Sequence, residues 1–385
     1  MTPAAEAASS LPASRVVGGV RHLYVHLPFC AHRCGYCDFV TAVGRREEHR
    51  GYVDALLAEL DRERRVLAGP LETVFVGGGT PTFTEPEALT RTLDALPPAA
   101  EVTVEANPET VTPALALLLR DHRVSRVSLG AQSFRPHLLG VLERVAGPDD
   151  VRRSVHTLRD AGFDNISLDL IYGVPGQSAA DLEADLADAL ALEPEHLSCY
   201  ELEAKPGTRF THAHGEELAR QAEAMEGYAE RVVETLTDAG YRWYETANFC
   251  RPDRGRDLRA QHNLAIWRGA DYLGIGVGAV STLGGERRRN LPSVARYVAA
   301  LADGEAPPRE VEHLDAPTRA VERLMLGLRL DEPFAVAAAG VEDVVDAEAL
   351  ERLTVAGLVD RVGEGVLLTP RGRMLGGAVT AELLA

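Results

Sequence analysis

Tyr24-Val-His-Leu-Pro-Phe-Cys30-Ala-His-Arg-Cys34-Gly-Tyr-Cys37-Asp-Phe39 sets three cysteines in CxxxCxxC spacing directly after an apolar run. Cysteine thiolates are soft ligands suited to iron–sulfur clusters, and a cubane [4Fe–4S] cluster needs one ligand per iron. Cys30, Cys34 and Cys37 serve three irons and leave the fourth open to something that is not protein. An open coordination position means chemistry or ligand exchange rather than a static staple. The competing reading is a structural zinc site, with His26, His32 or a distant histidine as fourth ligand. Such sites usually pair one short cysteine knuckle with a second further on, whereas Cys199 and Cys250 are single and far apart. A disulfide framework fits less well, because five cysteines in 385 residues are sparse and odd in number.

The rest of the composition narrows the setting. With 58 acidic and 40 basic residues the formal charge is −18. Such a surface repels nucleic-acid backbones and anionic lipid, so neither is expected as a partner. Residues 1–20 are small and polar, without the basic and apolar regions of a secretory signal, and read as a disordered tail. No apolar stretch is long enough to span a bilayer. The expectation is a cytoplasmic protein, in a compartment that keeps thiols reduced.

Apolar β-branched runs alternate with amphipathic segments over residues 21–205. The strand candidates are 22–27, 72–78, 101–107, 126–132, 165–173 and 196–203, and they read as apolar with little alternation. Strands separated by helices argue for a parallel α/β sheet, here a partial barrel of six βα units. Residues 206–306 form an extension, with a long helix expected over roughly 216–239 and a charged loop continuing through 261. The piece after Pro307-Pro308 resembles a winged-helix module, with helices over 317–330 and near 346–356, a hairpin over 357–368 and a final helix. Its acidic balance, 13 acids against 7 arginines over 311–385, disfavours DNA as a ligand.

In parallel α/β sheets, ligand sites gather at the carboxyl ends of the strands. The cysteines lie just beyond the first strand. Gly77-Gly78-Gly79-Thr80-Pro81 ends the second, where glycines let a backbone approach a ligand closely. Glu105-Ala-Asn-Pro-Glu109, Gly130-Ala-Gln132-Ser133 and Asp169-Leu-Ile-Tyr172-Gly173 end the next three. Singly, each reads as a cap or turn. Together, five polar endings on one rim beside an open cluster read as a site.

CxxxCxxC with an aromatic before its last cysteine, followed by GGGTP after the next strand, resembles the radical S-adenosylmethionine (SAM) superfamily. That resemblance implies SAM on the open iron, an electron donor for the cluster, and cleavage of SAM to a 5′-deoxyadenosyl radical. Leu129-Gly-Ala-Gln-Ser-Phe134, Leu168-Asp-Leu-Ile-Tyr-Gly-Val-Pro-Gly176 and Glu322-Arg-Leu-Met-Leu-Gly-Leu328 resemble, more narrowly, the oxygen-independent coproporphyrinogen III dehydrogenase family. The true dehydrogenases of that family carry a further cysteine two residues after the third ligand. The HemW-type heme chaperone branch has Phe there, as does this chain at Phe39. His262-Asn263-Leu-Ala-Ile-Trp267 looks like the HNxxxW signature of that branch, and implies an exposed His262, with Asn263, on a loop that ligates or orients heme.

Carried over residue by residue, the resemblance puts Tyr24 and Tyr36 beside SAM, with Gly78, Gly79 and Thr80 at its methionine end. Glu105 would hydrogen-bond its polar groups, and Gln132, Arg144 and Asp169 would line a second SAM-like site. Ala146 and Val280 stand where the branch usually has histidines, which leaves the substrate contacts open. The expected function is a heme chaperone that delivers heme to acceptor proteins. The alternatives are coproporphyrinogen III decarboxylation and a structural metal-binding interaction protein.

Overall fold

The computed structural model describes residues 19–203 and 209–384. Of the tail expected over 1–20, only the last two residues fall among them. Six parallel strands lie side by side in chain order: β1 (His22–Leu27), β2 (Leu71–Gly78), β3 (Ala99–Ala106), β4 (Arg126–Gln132), β5 (Ile166–Tyr172) and β6 (His196–Glu201). At the β6 edge the sheet continues through β7 (Arg242–Glu245) and β8 (Asn248–Cys250), with β8 antiparallel to both β6 and β7. At the other edge β9 (Leu273–Ile275) runs parallel to β1. The result is a nine-stranded mixed sheet, a partial barrel whose end strands do not meet.

Helices such as α1 (His49–Glu63), α2 (Pro86–Ala95) and α3 (Pro113–Asp121) connect successive strands. Several start on a local signal. Thr112 caps α3 by accepting from the Leu115 amide, and Ser178 and Asp181 form a reciprocal capping box before the helix Ala179–Ala191.

Near-continuous apolar strands are not what forms. Leu23, Val25, Leu27, Val74, Val76, Val102, Val104, Val127 and Leu129 pack on the covering helices. The residues between them, including Phe75, Glu105, Arg126, Ser128, Asp169 and Ser198, face the barrel interior and line a cavity. Side chains alternate across a strand, so these runs serve a dry outer face and a polar inner one.

The single helix expected over 216–239 is two, Arg209–Ala222 and Met225–Asp238. Gln221 Nε2 and Tyr228 Oη, one from each, both donate to the Gln177 carbonyl, at 2.9 and 2.8 Å. Those residues would be about 10 Å apart along one straight helix, so the bend between them brings both to one acceptor.

Beyond the barrel, β10 (Val280–Leu283), β11 (Glu286–Asn290) and β12 (Arg309–His313) form an antiparallel sheet. The C-terminal extension sets the helices Ala316–Gly327 and Ala347–Val355 against β13 (Phe334–Ala335), β14 (Val359–Val362) and β15 (Gly365–Leu368), in the order β13-β15-β14. It has its own core around Leu324, Leu353, Val359, Val366 and Val379. Among the described residues no helix is long and apolar enough to cross a membrane.

Candidate metal and cofactor site

The segment after β1 leaves the barrel at Pro28 and returns to pair with its own start. The amides of Ala42 and Gly44 donate to the carbonyls of Pro28 and Cys30, each at 2.8 Å. The loop so closed carries Cys30, Cys34 and Cys37, all free thiols, on the wall of one cavity of about 620 Å³ inside the barrel. Three strand ends and Arg144 reach these thiols through one polar chain. Thr80 Oγ1 donates to Cys30 Sγ at 3.5 Å, and Asn107 Nδ2 donates to Thr80 Oγ1 at 3.1 Å. Arg144 donates to Asn107 Oδ1 at 3.0 Å, to the Gly130 carbonyl at 2.9 Å and to Cys34 Sγ at 3.5 Å.

Burial pushes the Cys30 thiol up to about 11 and raises that of Cys37. A bound metal centre would supply the positive charge that holds such groups as thiolates. No three His, Cys, Asp or Glu side chains among the described residues converge tightly enough to hold a single ion. The fit to a [4Fe–4S] centre rests on the donor chemistry: three free thiols on one cavity wall, soft ligands that can each serve one iron.

The glycine run has two distinct tasks. Gly78 adopts φ +117°, and its amide donates to Glu105 Oε2 at 3.1 Å. A Cβ on Gly79 would stand 2.5 Å from the Pro28 carbonyl oxygen and 2.9 Å from Cys30 Sγ. Gly79 is therefore needed first for the seating of the cysteine loop. Glu105 is pushed up to about 7, mainly by burial and then by the charge of Asp169. Asp169, itself raised by burial, accepts from Ser128 Oγ at 3.1 Å.

Tyr36, Gly78, Gly79, Thr80, Glu105, Gln132, Arg144, Asp169 and Asn263 line the same cavity as the cysteines. Tyr24 does not: it stacks on Phe75 with ring centroids 6.1 Å apart, its hydroxyl 3.0 Å from His26 Nδ1. His262 departs furthest from expectation. It belongs to a helix, Gln261–Trp267, rather than a loop, and is 2% exposed rather than free. Its Nδ1 lies 2.8 Å from Thr73 Oγ1, and burial lowers its pKa to about 3, so the ring is neutral. The aromatic surroundings of Phe75 and Tyr24 explain the difference: they draw the imidazole under the cavity and leave Asn263 to face it. Ala146 and Val280 lie off the cavity wall.

Sequence reasoning gave no role to Asn107, although it stands inside the Glu105–Glu109 ending. His26, weighed from the sequence only as a possible zinc ligand, instead braces the far end of the cysteine loop, its Nε2 2.8 Å from the Val40 carbonyl. Arg126, at the start of β4, carried no signal beyond being a charge in an apolar run.

An open parallel barrel with three free cysteines after its first strand, facing a polar interior, defines a radical SAM protein. A model of the Radical SAM superfamily matches residues 24–189, and one of the HemN C-terminal domain matches residues 314–375. The chain is 36% identical to the heme chaperone HemW of Mycobacterium tuberculosis, over 94% of each protein. It is 32% identical to that of Bacillus subtilis, over 95% of this chain and 99% of the relative. The solved coproporphyrinogen III oxidase HemN of Escherichia coli superposes with a TM-score of 0.79 at 22% identity, covering 96% of this chain and 91% of the enzyme. The chain belongs to the HemW/HemN branch of the coproporphyrinogen-oxidase-like radical SAM proteins.

Proposed function

We propose that this protein binds a [4Fe–4S] cluster, SAM and heme, and delivers heme to acceptor proteins. Phe39 carries the reading. It stands two residues after the last cluster cysteine, lines the mouth of the cavity and is 68% exposed. A dehydrogenase of the resembling family carries a thiol there, and an exposed aromatic ring offers instead an apolar face for a flat macrocycle. The names of the relatives from M. tuberculosis and B. subtilis point the same way.

Cys30, Cys34 and Cys37 would hold the cluster, which when reduced supplies the electron for SAM cleavage. The chain's own groups do the rest. The Thr80–Asn107–Arg144 string fixes the thiols relative to the strand ends. Tyr36 and Phe39 wall the mouth, while Glu105 and Asp169 offer acceptors in the barrel interior. Asn263 faces the cavity as a heme contact, and His262 positions the helix that carries it.

The test is a pair of incubations of anaerobically reconstituted protein: one with heme, one with coproporphyrinogen III, SAM and dithionite. A Soret shift on heme addition, with no CO₂ release from coproporphyrinogen III, is expected. Decarboxylation would move the protein to the dehydrogenase side of the family. The reconstituted protein should hold about four iron and four sulfide per chain. Cys30→Ala, Cys34→Ala or Cys37→Ala should abolish them, whereas Cys199→Ala and Cys250→Ala should not.

A further inference from the structure

The floor of the cavity holds a buried guanidinium with acids around it but no hydrogen-bonded partner among the described residues. Arg126 opens β4 with its side chain inside the barrel, and the residue is 2% exposed. Its Nε is buried with no partner, and its guanidinium makes no hydrogen bond or ion pair with any described residue. Buried guanidinium groups are ordinarily paired, because an uncompensated charge in a protein interior is costly. Glu101, Glu105 and Asp169 feel its charge, which lowers their pKa values against the larger upward effect of burial. Elsewhere on the same cavity, Asn248 is also 2% exposed, and its Oδ1 is buried and unpartnered.

We infer that the barrel floor receives a carboxylate carried by a ligand, bound in the fork of Arg126. The planar guanidinium presents paired N–H groups that match a carboxylate's two oxygens, and in a site shielded from water such a pair is strong. The cysteines lie on another part of the wall, where the open iron would engage the amino and carboxylate groups of SAM. The floor therefore takes a different carboxylate. Two sources share this chemistry: a propionate arm of a tetrapyrrole, which rests on the heme reading above, and the carboxylate of a further SAM molecule, which does not.

The experiment uses the cluster-loaded protein and its Arg126→Met and Arg126→Lys variants, probed with heme, heme dimethyl ester, SAM and glutarate. Arg126→Met should bind free-acid heme about tenfold to a hundredfold more weakly than wild type, the range of a lost charge-assisted pair. Its affinity for the dimethyl ester should not change. Arg126→Lys keeps the charge but not the fork, and should fall between. Glutarate should raise the melting temperature of wild type and not of Arg126→Met. Without ligand, Arg126→Met should melt no lower than wild type, because an unpaired buried charge has been removed.

If wild type binds no heme while SAM or glutarate distinguishes it from Arg126→Met, the carboxylate site stands and the heme reading falls. A variant Arg126→Met that misfolds or melts clearly below wild type would make Arg126 a structural partner of the barrel acids and overturn the proposal. So would equal affinity of wild type and Arg126→Met for free-acid heme, SAM and glutarate.

Discussion

Glu105 shows how one side chain reports on its surroundings. Held near 7 by burial and by Asp169, it keeps a proton in the folded protein that the unfolded chain gives up near 4.5. The folded state therefore binds more protons between those values, and its stability falls as pH rises toward and through about 7. Glu105→Gln, a neutral isostere, should match wild type in urea unfolding at pH 5 and exceed it by about 1–3 kcal/mol at pH 8. Equal midpoints at pH 8 would mean that Glu105 ionises without cost. SAM, a sulfonium cation, should bind wild type more tightly as pH rises from 6 to 8, and Glu105→Gln should lose that dependence. Calorimetric titration at both pH values reads this directly. Glu105 is legible in the sequence as the polar ending of β3, but its protonation depends on burial and on Asp169 two strands away in the sheet.

The glycine run and the cysteine loop act as one element. Because a Cβ on Gly79 would meet the Pro28 carbonyl and Cys30 Sγ, Gly79→Ala should displace the loop at a cost of about 1–3 kcal/mol. Iron and sulfide content should then fall together with SAM binding. Normal cluster content with SAM binding alone lost would instead place Gly79 against the ligand. The helix Gln261–Trp267 makes the complementary case. His262→Ala empties a buried site and removes the contact with Thr73, so it should lower the free energy of unfolding by about 2–3 kcal/mol and leave cluster content intact. The HNxxxW spacing was legible as a motif. That its histidine points under the cavity and its asparagine into it was not, since seven residues do not reveal which face of a short helix meets a barrel.

Across the whole molecule, the extension braces the barrel through a buried acid. Glu59 of α1 accepts from Tyr297 Oη at 2.6 Å, from the Gly276 amide and Asn290 Nδ2 at 2.8 Å each, and from Arg309 at 3.3 Å. Gly276 in turn packs against the backbone of His26, whose ring holds Val40 at the end of the cysteine loop. Glu59→Ala strips the Tyr297 hydroxyl and the Gly276 amide of their acceptor, while Arg309 keeps Glu63 and Asn290 keeps the Gly276 carbonyl, and should cost about 2–4 kcal/mol in thermal or urea unfolding. It should also reduce the cluster that survives reconstitution, whereas a purely local role would leave iron content unchanged. Nothing in the sequence linked residue 59 to residues more than two hundred positions later.

The sequence alone determined the parallel α/β order, the position of six strands within a few residues, and the three thiols at the end of the first. Those features are local: they lie in runs, spacings and turn residues that one stretch of chain contains. Tertiary structure decided which strand face is wet, that Tyr24 and His262 lie beneath the cavity rather than on its wall, and that Arg126 stands in it unpaired. Each of these depends on which side chains from distant strands share one enclosed space, where burial and missing partners set charge and contact. No stretch of chain read by itself carries that information.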